Sequence, residues 1–300
     1  MLACAMTVRP LRQAIRLGIL ATVSAARIAG AQSAPAHHAT LPAVSADGRH
    51  VAFISDRDGQ VDLYVIDADG ANTRRLTSTT TEESRPVWSP DGREIFVSRI
   101  ADGWSTLSAI AVPAGTERVV TKVQGRLPLP LGPARVLYST GDWRSMQLAS
   151  AALDGSDVKR VSDGVGAIWG PAVSRDGARI AFGRSQAGSL QVFTMNAAGE
   201  DIRPVGPIEG RAQMPAWSAD GSHLAIQVDT KPAGTPQAHI WVVDLTTGTR
   251  QELAGGAAHH DEVPSWFPDG RRVAFQSDRS GQLEIWTIDV ASGDLRQLTK

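Results

Sequence analysis

One short sequence unit occurs six times along the chain, and it constrains the fold more than any other feature. The unit is a proline, an apolar segment with serine, an Asp-Gly pair and a second apolar segment. Clear copies begin at Pro42, Pro86, Pro171, Pro215 and Pro264, and a divergent copy begins at Pro128. Successive prolines lie 44, 42, 43, 44 and 49 residues apart. Such even spacing over most of the chain indicates one structural unit repeated six times.

Each unit contains four short strand segments separated by turns. In the first unit these segments are residues 42–45, 51–53, 63–66 and 74–77. The Asp-Gly pair predicts a tight hairpin turn, because Asp bonds its own backbone and Gly accepts positive φ. The first three segments are mainly apolar, whereas the fourth carries Arg and Thr and is expected to face solvent.

A period of forty-odd residues with four strands per unit predicts an all-β, six-bladed β-propeller of four-stranded antiparallel blades. Radial packing of the blades buries both faces of each sheet. We expect the first and last blades to close the ring by face packing, with residues 33–41 as a candidate extra edge strand. A two-sheet sandwich is the alternative, but sandwiches lack a whole-unit repeat.

Residues 1–31 have the layout of a secretory signal peptide. A basic start with Arg9, Arg12 and Arg16 precedes an apolar run over residues 17–23, and small residues end at Ala25 and Ala31. We therefore expect a cleaved leader over 1–31, a single propeller domain over 32–300, and a periplasmic or secreted location. A short membrane anchor or a disordered extension is the alternative for this segment.

The remaining composition excludes several classes of function. The one cysteine, Cys4, lies within the leader, so we expect no disulfide or thiolate chemistry after cleavage. Residues 32–300 carry 26 basic and 31 acidic side chains, which argues against a nucleic-acid partner. No later apolar stretch is long enough to span a membrane, and we expect a monomer.

The unit Pro-x-Trp-Ser-x-Asp-Gly, followed in two copies by Ser-Asp-Arg-x-Gly at residues 55–59 and 277–281, resembles the repeat of the TolB family. The resemblance covers about residues 40–300. It implies an exported six-bladed propeller that binds other cell-envelope proteins, including a peptidoglycan-associated lipoprotein. Members of that family carry a separate α/β domain before the propeller, whereas only about ten residues lie between Ala31 and Pro42 here. The family's N-terminal contacts are therefore not transferred to this chain.

The same repeat occurs in oligogalacturonate lyases and in the propellers of prolyl-oligopeptidase-type peptidases, so fold alone does not assign function. Peptidase chemistry lacks support, because the chain has no Gly-x-Ser-x-Gly motif. Three hypotheses follow. The first is a non-catalytic scaffold without a cofactor, which binds a protein or peptide of the envelope. The alternatives are a metal-dependent propeller enzyme acting on acidic oligosaccharides and a detached peptidase-type propeller.

The connections between successive blades gather at one mouth of the channel in a propeller, and such loops commonly carry binding residues. Their charged and aromatic residues form a predicted partner-binding set, and no catalytic residue is assigned. The set is Glu82, Glu83, Arg85, Arg126, Trp169, Arg211, Gln213, His259, His260, Asp261 and Glu262. The alternative for any one of these residues is a solvated rim.

Two histidine pairs precede the first and sixth repeat prolines. They are His37–His38 and His259–His260, and ring closure makes their blades neighbours. Imidazole nitrogens with a nearby carboxylate are ligands for Zn²⁺ or Mn²⁺. These histidines are therefore candidate ligands for a divalent metal, against the alternatives of hydrogen bonding within the loops and, for the first pair, of a mobile tail.

Overall fold

The protein forms a six-bladed propeller in which each blade is a four-stranded antiparallel meander. The computed structural model describes residues 37–81, 83–101, 104–142, 144–186, 188–230, 237–254 and 259–300. The predicted leader over 1–31 lies outside these residues. In the described part, no helix is long and apolar enough to cross a membrane.

The strands follow one another in chain order within each blade, so the first strand of a blade is innermost and the fourth is outermost. Blade 1 is β1 Ala39–Val44, β2 His50–Ser55, β3 Asp62–Asp67 and β4 Arg74–Arg75; blade 2 is β5 Glu83–Trp88, β6 Glu94–Ala101, β7 Trp104–Ala111 and β8 Glu117–Val123; blade 3 is β9 Arg126–Leu131, β10 Arg135–Thr140, β11 Gln147–Ala152 and β12 Lys159–Arg160. Blade 4 is β13 Ala167–Val173, β14 Arg179–Gln186, β15 Ser189–Asn196 and β16 Arg203–Pro204; blade 5 is β17 Arg211–Trp217, β18 His223–Thr230, β19 Gln237–Asp244 and β20 Arg250–Ala254; blade 6 is β21 Asp261–Trp266, β22 Arg272–Ser277, β23 Glu284–Asp289 and β24 Leu295–Gln297.

The Asp-Gly turns form as the sequence predicts, and serine completes them. In blade 5, the Ser218 hydroxyl donates to Asp220 Oδ1 at 2.6 Å, and the backbone N–H of His223 donates to Ser218 Oγ at 2.9 Å. Asp220 also accepts hydrogen bonds from the backbone and hydroxyl of Ser222. Glycine follows with φ of 68° at Gly221, a conformation that favours the residue without a Cβ.

These hydrogen bonds predict a measurable pH effect at Asp220. The bond from Ser218, followed by those from Ser222, lowers the pKa of Asp220 from 3.8 to about 2. A lowered folded-state pKa stabilises the fold above pH 4, and this stabilisation is lost as pH falls through about 2. Because Asp220 is exposed, we expect Asp220→Asn to lower the free energy of unfolding at pH 7 by only about 1 kcal/mol.

Urea unfolding at several pH values tests this expectation. The stability difference between wild type and Asp220→Asn should narrow as pH falls from about 4 to about 2. In a Ser218→Ala background, the same substitution should have a smaller pH-dependent effect, because the main cause of the shift is gone. A difference that stays constant over this pH range would contradict the assignment.

Apolar side chains between neighbouring blades hold the ring together. In the described residues, buried apolar side chains form six clusters, one at each interface between successive blades. Two indoles also cross these interfaces: Trp88 Nε1 donates to Ala43 O at 2.9 Å, and Trp217 Nε1 donates to Ala172 O at 3.2 Å. Each blade is therefore stabilised mainly through both of its neighbours.

Blades 1 and 6 close the ring by face packing, as expected, and by hydrogen bonds from the innermost strand of blade 1. Phe53 and Tyr64 of blade 1 pack in one cluster with Phe267 of blade 6. Ala39 N donates to Leu283 O at 2.8 Å, and Leu41 N donates to Gln276 Oε1 at 3.0 Å. Residues 39–41 do not form the suggested extra edge strand, because β1 is itself the innermost strand of the four-stranded first blade.

The sequence did not predict a bulge that recurs in every innermost strand. The residue before each repeat proline has a left-handed backbone, and the strand pairing shifts register there. A left-handed backbone conformation is unfavourable for residues other than glycine. The six residues and their φ values are Leu41 (54°), Arg85 (51°), Leu127 (49°), Gly170 (51°), Met214 (48°) and Val263 (51°). The bulges thus place one distorted residue per blade on the strands that surround the channel.

Candidate functional site at one mouth of the channel

The meander topology places the connections between blades at one end of the channel, together with the turns between second and third strands. We call this end the connection mouth. The Asp-Gly turns and the turns between third and fourth strands lie at the opposite end. The connection mouth therefore brings the beginnings of the innermost strands beside the ends of the second strands.

Two residues of the predicted binding set have buried side chains. These side chains bond to other groups within the protein and do not line the surface of the mouth. Glu83 Oε2 accepts from Leu63 N at 3.0 Å and from Thr77 Oγ1 at 2.6 Å, both in blade 1. Its Oε1 pairs with Arg99 of blade 2. Asp261 accepts two hydrogen bonds of 2.7 Å from Arg279. The strand register turns both carboxylates into the blades, where they satisfy buried donors.

A cluster of carboxylates and amides lies at the connection mouth on blades 5 and 6. Gln227 Nε2 and Gln213 Nε2 each donate to Asp229 at 2.8 Å. In the same way, Gln276 Nε2 donates to Glu262 Oε2 at 2.9 Å. We call these five residues the acidic mouth cluster. The amides fix the orientation of both carboxylates before any ligand arrives.

The two glutamines at the ends of the second strands also connect successive blades. Gln227 Oε1 accepts from Val263 N of blade 6 at 3.4 Å, and Gln276 Oε1 accepts from Leu41 N of blade 1 at 3.0 Å. Both donors are the backbone N–H groups of bulge residues. The bulges therefore position the groups that hold the two carboxylates.

The electrostatics of the acidic mouth cluster differ from those of an ordinary surface. Burial raises the pKa of Asp229, and this is opposed by the hydrogen bond from Gln227 and the positive charge of Arg211. Burial also raises the pKa of Glu262, opposed by the bond from Gln276, and the negative charge of Asp229 adds to the rise. Half-buried carboxylates with raised pKa values are common at functional sites. They accept hydrogen bonds from N–H groups and attract cations.

The other residues of the predicted binding set differ in exposure and in location. Arg211 is exposed and lies directly opposite Asp229 in the strand pairing, and Arg126 is exposed at the start of β9. Trp169 is half-buried beside the bulge of blade 4. Glu82 lies outside the described residues.

His260 is held by a carboxylate at the connection mouth. Its backbone N–H donates to Asp278 Oδ1 at 2.8 Å, and its Nδ1 lies 3.1 Å from Asp278 Oδ2. In blade 1, the backbone N–H of His38 donates to Asp56 at 2.6 Å in the equivalent way. His37 Nε2 lies 3.6 Å from Glu284, and His259 is half-buried. Within the described ranges, no three His, Cys, Asp or Glu side chains form a group that fits a metal ion.

Arg85 lies deeper than its sequence position suggested. Its Nη2 donates to Pro171 O at 2.8 Å, which joins the bulge of blade 2 to the bulge of blade 4. These blades are not neighbours, so the side chain crosses the inside of the ring. Arg85 is thus a channel residue of the innermost strand β5, and the prediction that it lies in a blade connection is wrong.

The sequence did not indicate Asp229, Gln227 and Gln276 as site residues. They lie near the ends of the second strands and not in blade connections. A signal was present for Asp229. It occupies the repeat position of Asp56 and Asp278, although its neighbours depart from the Ser-Asp-Arg triplet seen there. The glutamines have no signal in one sequence, because blades 1 and 4 carry Ile54 and Gly183 at the same pairing position.

Parts of the chain are similar to known proteins. A TolB homolog of Chlorobium chlorochromatii is 29% identical over 139 residues, which are 45% of this chain and 31% of that protein. An uncharacterized peptidase of Bacillus subtilis, YuxL, is 47% identical over 60 residues, which are 20% of this chain and 9% of the relative. The matches thus span less than a third of either relative.

A solved structure shows the same fold. TolB from Acinetobacter baumannii superposes with a TM-score of 0.69 at 18% identity, covering 88% of this chain and 63% of that one.

Two families match the chain over more than half its length. The lipoprotein LpqB β-propeller domain matches residues 17–201, and the TolB β-propeller domain matches residues 134–300. The second match covers three consecutive clear repeats, those that begin at Pro171, Pro215 and Pro264. The six blades, their Asp-Gly turns and these matches agree: the chain belongs to the TolB β-propeller family.

Proposed function

We propose that this chain is an exported, non-catalytic propeller of the cell envelope that binds a protein or peptide at its connection mouth. The acidic mouth cluster is the observation that carries the proposal. Asp229 and Glu262 are held by amides on a rigid ring and remain half-buried at an opening. Prearranged acceptors of this kind bind N–H donors with little loss of conformational entropy.

The charge of the cluster defines what the partner presents to it. Carboxylates are acceptors when ionised, so lysine, arginine or backbone N–H groups fit blades 5 and 6. Arg211, Trp169 and His260 lie at the same mouth and are the residue types that supply contact area and directed hydrogen bonds at interfaces. The proposed interface is therefore mixed in charge, with its acidic part on two adjacent blades.

The location in the envelope is part of the proposal. It is supported by the leader pattern of residues 1–31 and by the TolB and LpqB lipoprotein families that match the chain.

A capture experiment followed by affinity measurement tests the function. The mature protein is used as bait in periplasmic extract, and the captured protein is purified and titrated by calorimetry. Asp229→Asn combined with Glu262→Gln keeps the side-chain shapes and removes both charges. Loss of hydrogen bonds to charged groups should weaken binding by about tenfold or more. Arg211→Ala, Trp169→Ala and His260→Ala should each weaken it less.

Asp294→Asn is the matched control, because Asp294 is exposed in a turn at the opposite end of the channel. The affinity of this variant for the captured protein should equal that of wild type. Unchanged affinity in the double variant and in all three alanine variants would place the interface on another surface.

A second candidate is a propeller enzyme that acts on acidic oligosaccharides. The raised pKa values of Asp229 and Glu262 favour it, since carboxylates with perturbed pKa values are common at catalytic sites. Incubation with oligogalacturonate and Mn²⁺, followed by chromatography of the products, separates the two candidates. Cleavage by wild type that is lost in the double variant would replace the binding function with catalysis.

A further inference from the structure

Arg85 is a half-buried cation in the channel whose hydrogen bonding is incomplete. Its Nη2 donates to Pro171 O, whereas its Nη1 is out of contact with solvent and has no hydrogen-bond partner. Loss of contact with water lowers the pKa of Arg85 to about 10, so the guanidinium stays charged at neutral pH. A carbonyl oxygen satisfies one N–H group but does not neutralise the charge.

Three other arginines inside this protein are paired with acids. Arg99 bonds Glu83 and Glu117, Arg184 lies 2.9 Å from Asp163, and Arg279 bonds Asp261 through two contacts of 2.7 Å. Removing a charge from water costs several kcal/mol unless an opposite charge or several hydrogen bonds compensate. Arg85 lacks that compensation within the described residues.

The bulge positions around Arg85 carry no competing acid. The equivalent bulge residues of the other blades are Leu41, Leu127, Gly170, Met214 and Val263. Arg85 is the charged member of these six positions, and it reaches toward the blade whose bulge residue is glycine. The residue as a whole is half-buried.

We propose that Arg85 binds a carboxylate group of the partner, inserted into the channel from the connection mouth. This inference rests on the proposed function and names the group that the partner inserts. The planar guanidinium matches a carboxylate through two parallel N–H···O bonds, which would satisfy Nη1 and neutralise the charge. The carboxylate comes from an Asp or Glu side chain or from a free C-terminus.

The position of the acidic mouth cluster gives the bound segment a direction. Asp229 and Glu262 lie on blades 5 and 6, whereas Arg85 begins on blade 2 and points to blade 4. The partner's carboxylate therefore binds apart from these acids, and its N–H donors face them.

Short synthetic peptides test the site without the natural partner. Three acetylated tripeptides are titrated by calorimetry: triglycine with a free C-terminus, its C-terminal amide, and Gly-Glu-Gly amide. We expect the best carboxylate peptide to bind wild type at least about tenfold more tightly than triglycine amide. The two carboxylate peptides distinguish a C-terminal group from a side chain.

Arg85→Met should abolish that preference for carboxylate. The substitution keeps a long unbranched side chain but removes the guanidinium and its charge. Arg93→Met, at an exposed arginine at the opposite end of blade 2, should keep it. If Arg85→Met does not fold, Arg85→Lys should retain only part of the preference. Equal affinity of acid and amide peptides for wild type, or a preference that persists in Arg85→Met, would overturn the inference.

The outcomes separate this inference from the proposed function. Carboxylate binding without capture of any envelope protein would uphold the Arg85 site and contradict the function. A captured partner whose affinity depends on Asp229 and Glu262 but is unchanged by Arg85→Met would uphold the function and contradict the Arg85 site.

Discussion

Removal of residues 264–300 is expected to abolish the single cooperative unfolding transition of the protein. The deletion takes away the end of β21 and all of β22–β24. It exposes Phe53 and Tyr64 of blade 1, which pack against Phe267. It also exposes Ile240 of blade 5, which packs with Phe275. Two apolar blade faces would meet water at once, and burial of such faces is the main source of stability.

Urea unfolding followed by near-ultraviolet circular dichroism, together with size-exclusion chromatography, measures this effect. The truncated chain should aggregate or unfold without a sharp midpoint, whereas removal of Lys300 alone should leave the midpoint unchanged because Lys300 is exposed. A soluble, monomeric truncated chain with the midpoint of the full protein would show that the ring closure contributes little.

The repeat made the architecture predictable from the sequence. Six evenly spaced prolines predicted six blades, and the Asp-Gly pairs fixed the hairpin between first and second strands. The divergent unit at Pro128 folds into β9–β12 although it lacks the serine and the Asp-Gly pair, because its neighbours supply the faces against which it packs. Repetition of the unit carries this information, and no single copy does.

The candidate site was less predictable, because it depends on side-chain direction. Glu83 and Glu262 each lie shortly before a repeat proline, yet Glu83 turns into the blade interface and Glu262 stays at the mouth. Arg85 itself has a left-handed backbone, although it precedes a proline, where local sterics favour an extended backbone. Such a bulge is stabilised by tertiary contacts, and a local sequence pattern does not contain them.

Glu83→Ala is expected to lower the free energy of unfolding by about 3 kcal/mol. The substitution leaves Arg99 without one of its two carboxylates and removes the acceptor for Thr77 Oγ1, so blades 1 and 2 lose one of their polar contacts. The loss of stability is at the lower end of the range for a broken buried ion pair, because Glu117 still contacts Arg99. Urea unfolding at neutral pH gives the value.

Glu94→Ala is the matched control on the same blade, since Glu94 pairs with the exposed Arg118 and should cost less than about 1 kcal/mol. A double variant identifies the source of the larger loss. Combining Arg99→Met with Glu83→Ala also removes the arginine charge that Glu83→Ala leaves without its partner. The double variant should therefore be more stable than Glu83→Ala alone. If the double variant is instead less stable by the sum of both single losses, the two side chains act independently and Glu83 stabilises the fold through Leu63 and Thr77 alone.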